Sequence, residues 1–335
     1  MGTVIDGFVR QQLLNRRIKL EQAVMESDGA GHLYRLLQEV DSALGKVQDG
    51  CYGICEVCHE PLEADRLIAD PLVRICLDHL SKRERSALEQ DLELAARVQR
   101  GLLPPQNFLR GGWHISYHYE PAGLVSGDYC DVIDCGDAGL YFAVGDVSGK
   151  GVAASMLMAH LHAMFRALTS VGLSLKTMLE HASRVFSEST LPSQYATLVC
   201  GRALPNGKVE ICNAGHPSPL IVRDGEAFCL DSTNLPVGMF SNEEFSVNDL
   251  QLEGGQSMII YSDGVSEMTD ASGLEYGTDR LQRLIQMKHT DSSGLIATYR
   301  KDFAEFRGDA EKRDDVTLFV LNRVAKSSQS GTSLA

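Results

Sequence analysis

The chain has 335 residues and 44% hydrophobic content, enough for two or three folded domains, and no run of 18 or more apolar residues that would predict a membrane span. Its net charge of −14 argues against broad electrostatic binding to nucleic acid, which needs clustered Lys and Arg, and is compatible with cation sites. Nine cysteines, four of them between Cys51 and Cys76, point to metal binding, not to a disulfide framework.

The N-terminal stretch Met1–Lys19 is charged and lacks an apolar core, so no secretory signal is predicted and a cytoplasmic location is the expectation. Val9, Leu13, Leu14, Ile18, Leu20 and Val24 recur at helical spacing. A break at Asp28–Gly31 precedes a second helical pattern through Leu33, Leu36, Leu37, Val40 and Leu44, ended by Asp49-Gly50. Together these predict an antiparallel helical hairpin. Cys55-x-x-Cys58 and Cys76-x-x-His79 follow, two pairs at the spacing that tetrahedral zinc takes from knuckle turns. Cys51 lies outside that spacing, and His59 is expected at the surface.

Residues 81–103 predict a charged helix whose Leu88, Leu92, Ala95, Gln99 and Leu102 form a short heptad seam with one polar member. The seam is too short for a free coiled coil and is expected to pack on another subunit or on the following domain. Pro104-Pro105 stop it. From Trp113 onward the pattern turns to β. Strands are predicted at 114–121, 140–145, 195–201, 207–214, 220–222, 227–230, 257–261 and 316–322, and helices at 151–169, 175–189, 279–287 and 293–306. This order predicts an α+β sandwich with helices outside. Cys130, Cys135, Cys200, Cys212 and Cys229 are expected as core fillers, and the small polar segment 325–335 as a disordered tail.

Three aspartate motifs stand beside predicted strands: Gly145-Asp146-Val147-Ser148-Gly149-Lys150-Gly151, Tyr261-Ser262-Asp263-Gly264-Val265 and Arg313-Asp314-Asp315-Val316-Thr317. Carboxylates gathered at strand ends suit hard divalent cations. The first motif is neither a nucleotide-binding loop, which needs four residues before Gly-Lys and a hydroxyl after it, nor a nucleophile elbow, because its glycines do not flank Ser148 symmetrically. Strand, Asp, glycine-rich turn and helix remain. Asn213-Ala-Gly-His216-Pro217 lies between two predicted strands, and its Asn, Gly and Pro favour a hairpin turn over a role for His216 in the site.

From about Arg97 to Val324 the chain resembles the SpoIIE-type branch of the metal-dependent protein serine/threonine phosphatases, the protein phosphatase 2C-like fold. The resemblance is carried by Leu94–Pro104, Ser126–Asp131, Val144–Ala154, Tyr195–Leu198, Asn213–Leu220, Leu235–Met239, Ile259–Val265, Glu267 and Arg313–Leu318. Separately, Asp49–Pro61 and Cys76 resemble the DksA/TraR-type zinc finger, with His79 where that family usually has a fourth Cys. The domains expected are a helical hairpin at 1–50, the zinc finger at 51–80, a linker helix at 81–105, the phosphatase domain at 106–324 and the tail at 325–335.

The resemblance implies a PP2C-like β-sandwich flanked by helices, and two Mn²⁺ or Mg²⁺ ions. Asp146 would bridge them, the Val147 carbonyl would assist, and Asp263 and Asp314 would complete the site, with Asp128 and Asp315 behind them. One structural Zn²⁺ would be held by Cys55, Cys58, Cys76 and His79. It also implies hydrolysis of phosphoserine or phosphothreonine by a metal-activated water. The substrate would be a regulatory protein of the anti-sigma antagonist type in bacterial partner switching, and a homodimer would form through the N-terminal helices. Many members of the wider fold place a His two residues after the bridging Asp; Ser148 stands there in this chain, which leaves protonation of the leaving group unassigned. The alternative is a transcription regulator docking on RNA polymerase through the zinc finger, with the phosphatase domain as an accessory.

Overall fold

The computed structural model describes residues 2–26, 31–63, 66–67, 70–191, 193–232, 234–240, 243–285 and 291–325. The predicted tail after Ala325, the hairpin tip 27–30 and the end of the helix predicted at 279–287 lie outside the described residues. The chain divides into two compact units, Met1–Asp91 and Leu92–Ala335. No helix among the described residues is long and apolar enough to cross a membrane.

In the first unit, α1 (Gly2–Glu26) and α2 (Gly31–Gln48) form the predicted hairpin. Val9, Leu13, Val40 and Ala43 are buried between them, flanked by Leu20, Leu44 and Val47. Ile18, counted in the sequence pattern, is 54% exposed because it falls off the seam set by Val9 and Leu13. A second small core holds Cys55, Leu62, Leu67 and Cys76. It is closed by a bridge pairing Ile54 with Pro61 and by a 3₁₀ turn at Leu77–His79.

The second unit begins within α3 (Lys82–Leu102). The C-terminal half of the predicted seam packs on this unit. Ala96 and Gln99 are buried, and the Gln99 carboxamide donates to the Ser126 carbonyl at 2.6 Å and accepts from the Ser126 N–H at 3.0 Å. The polar member of the seam is thus a backbone clamp.

The β elements are β1 (Asn107–Arg110), β2 (Trp113–Glu120), β3 (Asp128–Asp134), β4 (Leu140–Val147), β5 (Ala196–Ala203), β6 (Lys208–Ala214), β7 (Leu220–Arg223), β8 (Glu226–Cys229), β9 (Asn248–Gln251), β10 (Ser257–Tyr261) and β11 (Val316–Arg323). Two wholly antiparallel sheets result, in the orders β1-β2-β11-β10-β7-β8 and β3-β4-β5-β6-β9. Their inner faces meet through Trp113, Ile115, Phe142, Val144, Ile211, Met258, Ile260 and Phe319. Outside the five-stranded sheet lie α4 (Gly151–Ser170) and α5 (Leu175–Ser189), packed through Phe165, Leu179 and Phe186. Outside the six-stranded sheet, past the short α6 (Asp263–Ser266), lie α7 (Gly277–Ile285) and α8 (Ser292–Arg307), packed through Leu281, Tyr299 and Phe303.

This four-layer arrangement explains why β4 and β10 read as continuous apolar runs. Met258 and Ile260 face the inner core while Ile259 and Tyr261 face the helices, so both strand faces are buried. Strands β1, β3 and β9 were not predicted. Cys130, Cys200 and Cys212 fill the core as expected, whereas Cys229 is exposed, because β8 is an edge strand.

Candidate active site

Asp146 sits near the end of β4, and the strand register places Asp128 of β3 on one side of it and Thr197 of β5 on the other. The chain then turns sharply into α4. Gly149 and Gly151 take φ of 103° and 73°, left-handed values that side-chain-bearing residues avoid. Ser148 is clasped in this turn: its Oγ accepts from the Tyr195 N–H at 3.0 Å and its own N–H donates to the Tyr195 carbonyl at 2.9 Å. The hydroxyl is a structural tie, in keeping with the absence of a nucleophile elbow.

Asp263 opens α6 directly after β10, and Asp314-Asp315 precede β11, the neighbour of β10. Asp146 therefore comes from one sheet and the other two motifs from the facing sheet. Asp146 and Asp263 line one cavity of about 420 Å³ together with Ser148, Tyr195, Thr197 and His216. Asp314 lines an adjoining cleft of about 230 Å³ with Lys150, Gly264, Glu267 and Arg313. Lys150 reaches across to Asp314 Oδ2 at 2.7 Å and to the Arg313 carbonyl at 3.0 Å.

The two supporting carboxylates are held differently. Asp128 is buried and accepts a short hydrogen bond from the Thr317 hydroxyl of β11, which ties the two sheets together beneath the site. Asp315 accepts from the N–H groups of Ala122 at 2.7 Å and Gly127 at 2.9 Å, so both of its oxygens are used in fixing the β2–β3 connection. Asp314 faces the cleft instead.

Burial raises the pKa of Asp146 to about 7, with further upward pressure from Asp263, Asp314 and Asp315. Burial and then Asp314 raise Asp263, and burial and then Asp146 raise Asp128 well above the usual carboxylate range. Such a cluster of like charges is what a cation site looks like without its counter-charge. The space is suited to an ion as well. A Cβ added at Gly127 would stand 3.1 Å from Asp146 Oδ1 and 3.2 Å from the Val147 carbonyl oxygen, so these two oxygens converge on a hollow that glycine keeps open. Gly127→Ala is expected to weaken Mn²⁺ binding about tenfold in a calorimetric titration, with the metal-free melting temperature little changed; unaltered affinity would show that the hollow plays no part.

In the first unit, the ligand atoms of Cys55, Cys58, Cys76 and His79 all lie within 4.8 Å of one another. Cys58 and Cys76 Sγ are 3.8 Å apart, and Cys76 Sγ is 3.1 Å from His79 Nδ1. The Cys55 thiol pKa is lowered to about 6, first by the backbone N–H of Cys58 and then by that of Cys76, which favours the thiolate. Cys51 is exposed, and His59 is an exposed residue with φ of 61° in the knuckle turn.

His216 lies in the cavity wall as well as in the predicted turn. Its backbone does make the expected turn: the Asn213 carboxamide accepts from the His216 N–H at 2.9 Å and donates to its carbonyl at 3.0 Å. The imidazole, however, is 3% exposed, lines the cavity with Asp146 and Asp263, and is hydrogen-bonded through Nδ1 to the Thr197 hydroxyl at 2.9 Å. No local signal distinguishes such a histidine from one on a solvated hairpin.

Two packed antiparallel sheets with helices on both outer faces define the class of PP2C-type phosphatase folds. The SiaA-PP2C domain of Pseudomonas aeruginosa superposes with a TM-score of 0.61 at 18% identity, covering 71% of this chain and 98% of that one. The phosphatase domain of SpoIIE from Bacillus subtilis, with a fragment of its regulatory domain, superposes with a TM-score of 0.57 at 20% identity, covering 64% of each chain. The sequence pattern of the stage II sporulation protein E (SpoIIE) family matches residues 136–324, more than half of the chain, and the chain belongs to that family. It is 26% identical over 239 residues to the phosphoserine phosphatase RsbU of Bacillus subtilis, covering 70% of this chain and 71% of RsbU. It is 24% identical over 262 residues to protein IcfG of Synechocystis, covering 70% of this chain but 41% of IcfG, so it spans less than half the length of that relative.

Proposed function

We propose that the chain is a metal-dependent protein phosphatase that hydrolyses phosphoserine or phosphothreonine on a regulatory protein of the anti-sigma antagonist type. The observation that carries this is the gathering of motifs far apart in sequence: Asp146 and Asp263 line one cavity, and Asp314 lines the cleft beside it. Membership of the SpoIIE family and likeness to a phosphoserine phosphatase support the substrate class.

In this proposal Asp146, the Val147 carbonyl, Asp263 and Asp314 would hold two Mn²⁺ or Mg²⁺ ions, and Asp128 and Asp315 fix the strand ends behind them. Such ions supply acidification of water and charge neutralisation at phosphorus. The protein's own part is positioning. The Thr317–Asp128 bond sets one sheet against the other, Asp315 anchors the loop that carries Gly127, and the Ser148–Tyr195 clasp fixes the turn after Asp146. Lys150 stands at the rim of the cleft, its ammonium held by Asp314 and the Arg313 carbonyl. The first unit, with one structural Zn²⁺ on Cys55, Cys58, Cys76 and His79, serves as a sensory or dimerising module; hairpin at 1–50, finger at 51–80, linker at 81–105 and catalytic domain at 106–324 are the proposed divisions.

The test is a phosphoproteome comparison of cells carrying the wild-type chain or an inactive site variant, followed by assay of the purified protein on the substrate found. One hyperphosphorylated seryl or threonyl protein, dephosphorylated in vitro only with Mn²⁺ or Mg²⁺, is expected. Mn²⁺ binding without phosphate release from any phosphoprotein would overturn the proposal.

A further inference from the structure

His216 lies in the segment that carries the chain from β6, in the five-stranded sheet, to β7, in the six-stranded sheet. Its imidazole meets both sheets where the acidic residues emerge. On one side Nδ1 is bonded to the Thr197 hydroxyl, and Thr197 is the cross-strand partner of Asp146. The same hydroxyl is 3.4 Å from the Asp146 carbonyl oxygen. On the other side it lines the same cavity as Asp263, which follows β10 of the six-stranded sheet. β7 then pairs with β10, Leu220 opposite Ile259, so the crossover is anchored to the strand that delivers Asp263. The Asn213 carboxamide grips both backbone groups of His216, which fixes where the ring enters.

We propose that His216 is a positioning residue: bonded to Thr197 and buried in the cavity wall shared by Asp146 and Asp263, it sets the separation of these two carboxylates and thereby the affinity of the site for its divalent cations. The inference rests on the assignment of Asp146 and Asp263 as cation ligands, but not on the identity of the substrate. Burial holds the imidazole pKa down to about 3, so the ring is a neutral spacer at pH 7 and adds no positive charge against the ions. Nε2 is buried with no hydrogen-bond partner among the described residues, which leaves the ring defined by packing and by its bond to Thr197. Orienting groups behind metal ligands typically govern metal affinity by 10- to 100-fold.

The experiment is Mn²⁺ titration by calorimetry on the full chain with its zinc retained, comparing wild type, His216→Ala, His216→Asn, Thr197→Val and the double variant His216→Ala/Thr197→Val, each well below its melting temperature. His216→Ala is expected to weaken Mn²⁺ binding about tenfold or more. His216→Asn, which restores a hydrogen-bonding edge toward Thr197, is expected to recover part of that loss. Thr197→Val leaves no cavity and folds even if the alanine variant does not; it is expected to weaken binding too, with the double variant losing less than the sum of the single effects. With a phosphoserine peptide, kcat at subsaturating Mn²⁺ should fall more than KM rises. A lower melting temperature with wild-type Mn²⁺ affinity in His216→Ala and Thr197→Val would overturn the proposal and leave His216 as a packing residue. Because metal binding is read directly, absence of phosphatase activity in every form would count against the proposed function and leave this result standing.

Discussion

Asp146→Asn is expected to lower Mn²⁺-dependent phosphate release by at least about a thousandfold, a loss of roughly 4 kcal/mol in transition-state stabilisation, and at the same time to stabilise the metal-free protein at pH 7.5. The two effects have one cause. Asp146 is the carboxylate flanked by Asp128 in its own sheet and opposed by Asp263 and Asp314 from the other. Removing its charge removes the group best placed to be shared by two ions. It also removes a repulsion that the fold bears alone when no ion is bound. The folded pKa of Asp146 is raised from 3.8 to about 7. Between those values the folded state holds more protons than the unfolded chain, so this stability contribution is present below about pH 4 and is lost as pH rises to 7. Asp263 and Asp128 are shifted in the same direction and add to the trend. In a buffer without Mn²⁺ or Mg²⁺, the stability of the wild type relative to Asp146→Asn should therefore decline between pH 4 and 7, and the variant should melt several degrees higher at pH 7.5. Saturating Mn²⁺ should reverse the order, because only the wild type gains from binding. Thermal melts at pH 5 and 7.5, with and without Mn²⁺, check this. A variant that melts lower than wild type without metal would contradict the charge-cluster account, and retained activity would remove Asp146 from the site.

The motifs were legible in the sequence for a local reason. Asp146, Asp263 and Asp314 each border a strand buried on both faces, so each stands out as a charge at the edge of an apolar run. The strands that escaped notice fail that condition. β3 carries Asp128, Asp131 and Asp134 within seven residues, which argues against a buried strand until the partners are known. Asp131 is fully buried because Arg166 of α4 grips it through two bonds, at 2.6 and 2.9 Å, and Thr317 does the corresponding work for Asp128. Those partners lie 35 and 189 residues away, beyond the reach of any periodicity. β1 and β9 are four-residue edge strands with exposed side chains, too short to leave a pattern. For His216 only the turn made by Asn213 is written locally; its burial in one cavity with Asp146 and Asp263 depends on a crossover between sheets that periodicity does not reveal.

Cys76→Ser is expected to release the zinc and unfold residues 51–80, while Mn²⁺-dependent phosphate release by the second unit persists. Among the described residues the hydrophobic cluster of this segment holds Cys55, Leu62, Leu67 and Cys76, with Tyr52, Cys58, Val73 and Ile75 partly buried around them, so three of the eight are proposed zinc ligands. Two fully apolar buried side chains contribute about 3–6 kcal/mol at most. Among the described residues the segment has little secondary structure beyond the Ile54–Pro61 bridge and the turn at Leu77–His79. A structural zinc site contributes on the order of 10–16 kcal/mol near neutral pH, well above what these two side chains supply. The hairpin of α1 and α2 has its own buried seam, Val9, Leu13, Val40 and Ala43, and should lose only the support of Tyr52 and Leu72, which pack against that seam. Limited proteolysis should cut the variant between residues 51 and 80 while leaving residues 92–325 intact, and elemental analysis should show one zinc in the wild type and none in the variant. A zinc-free Cys76→Ser protein that resists cleavage in this segment would mean that the four ligands pack as ordinary side chains and that the finger folds without metal.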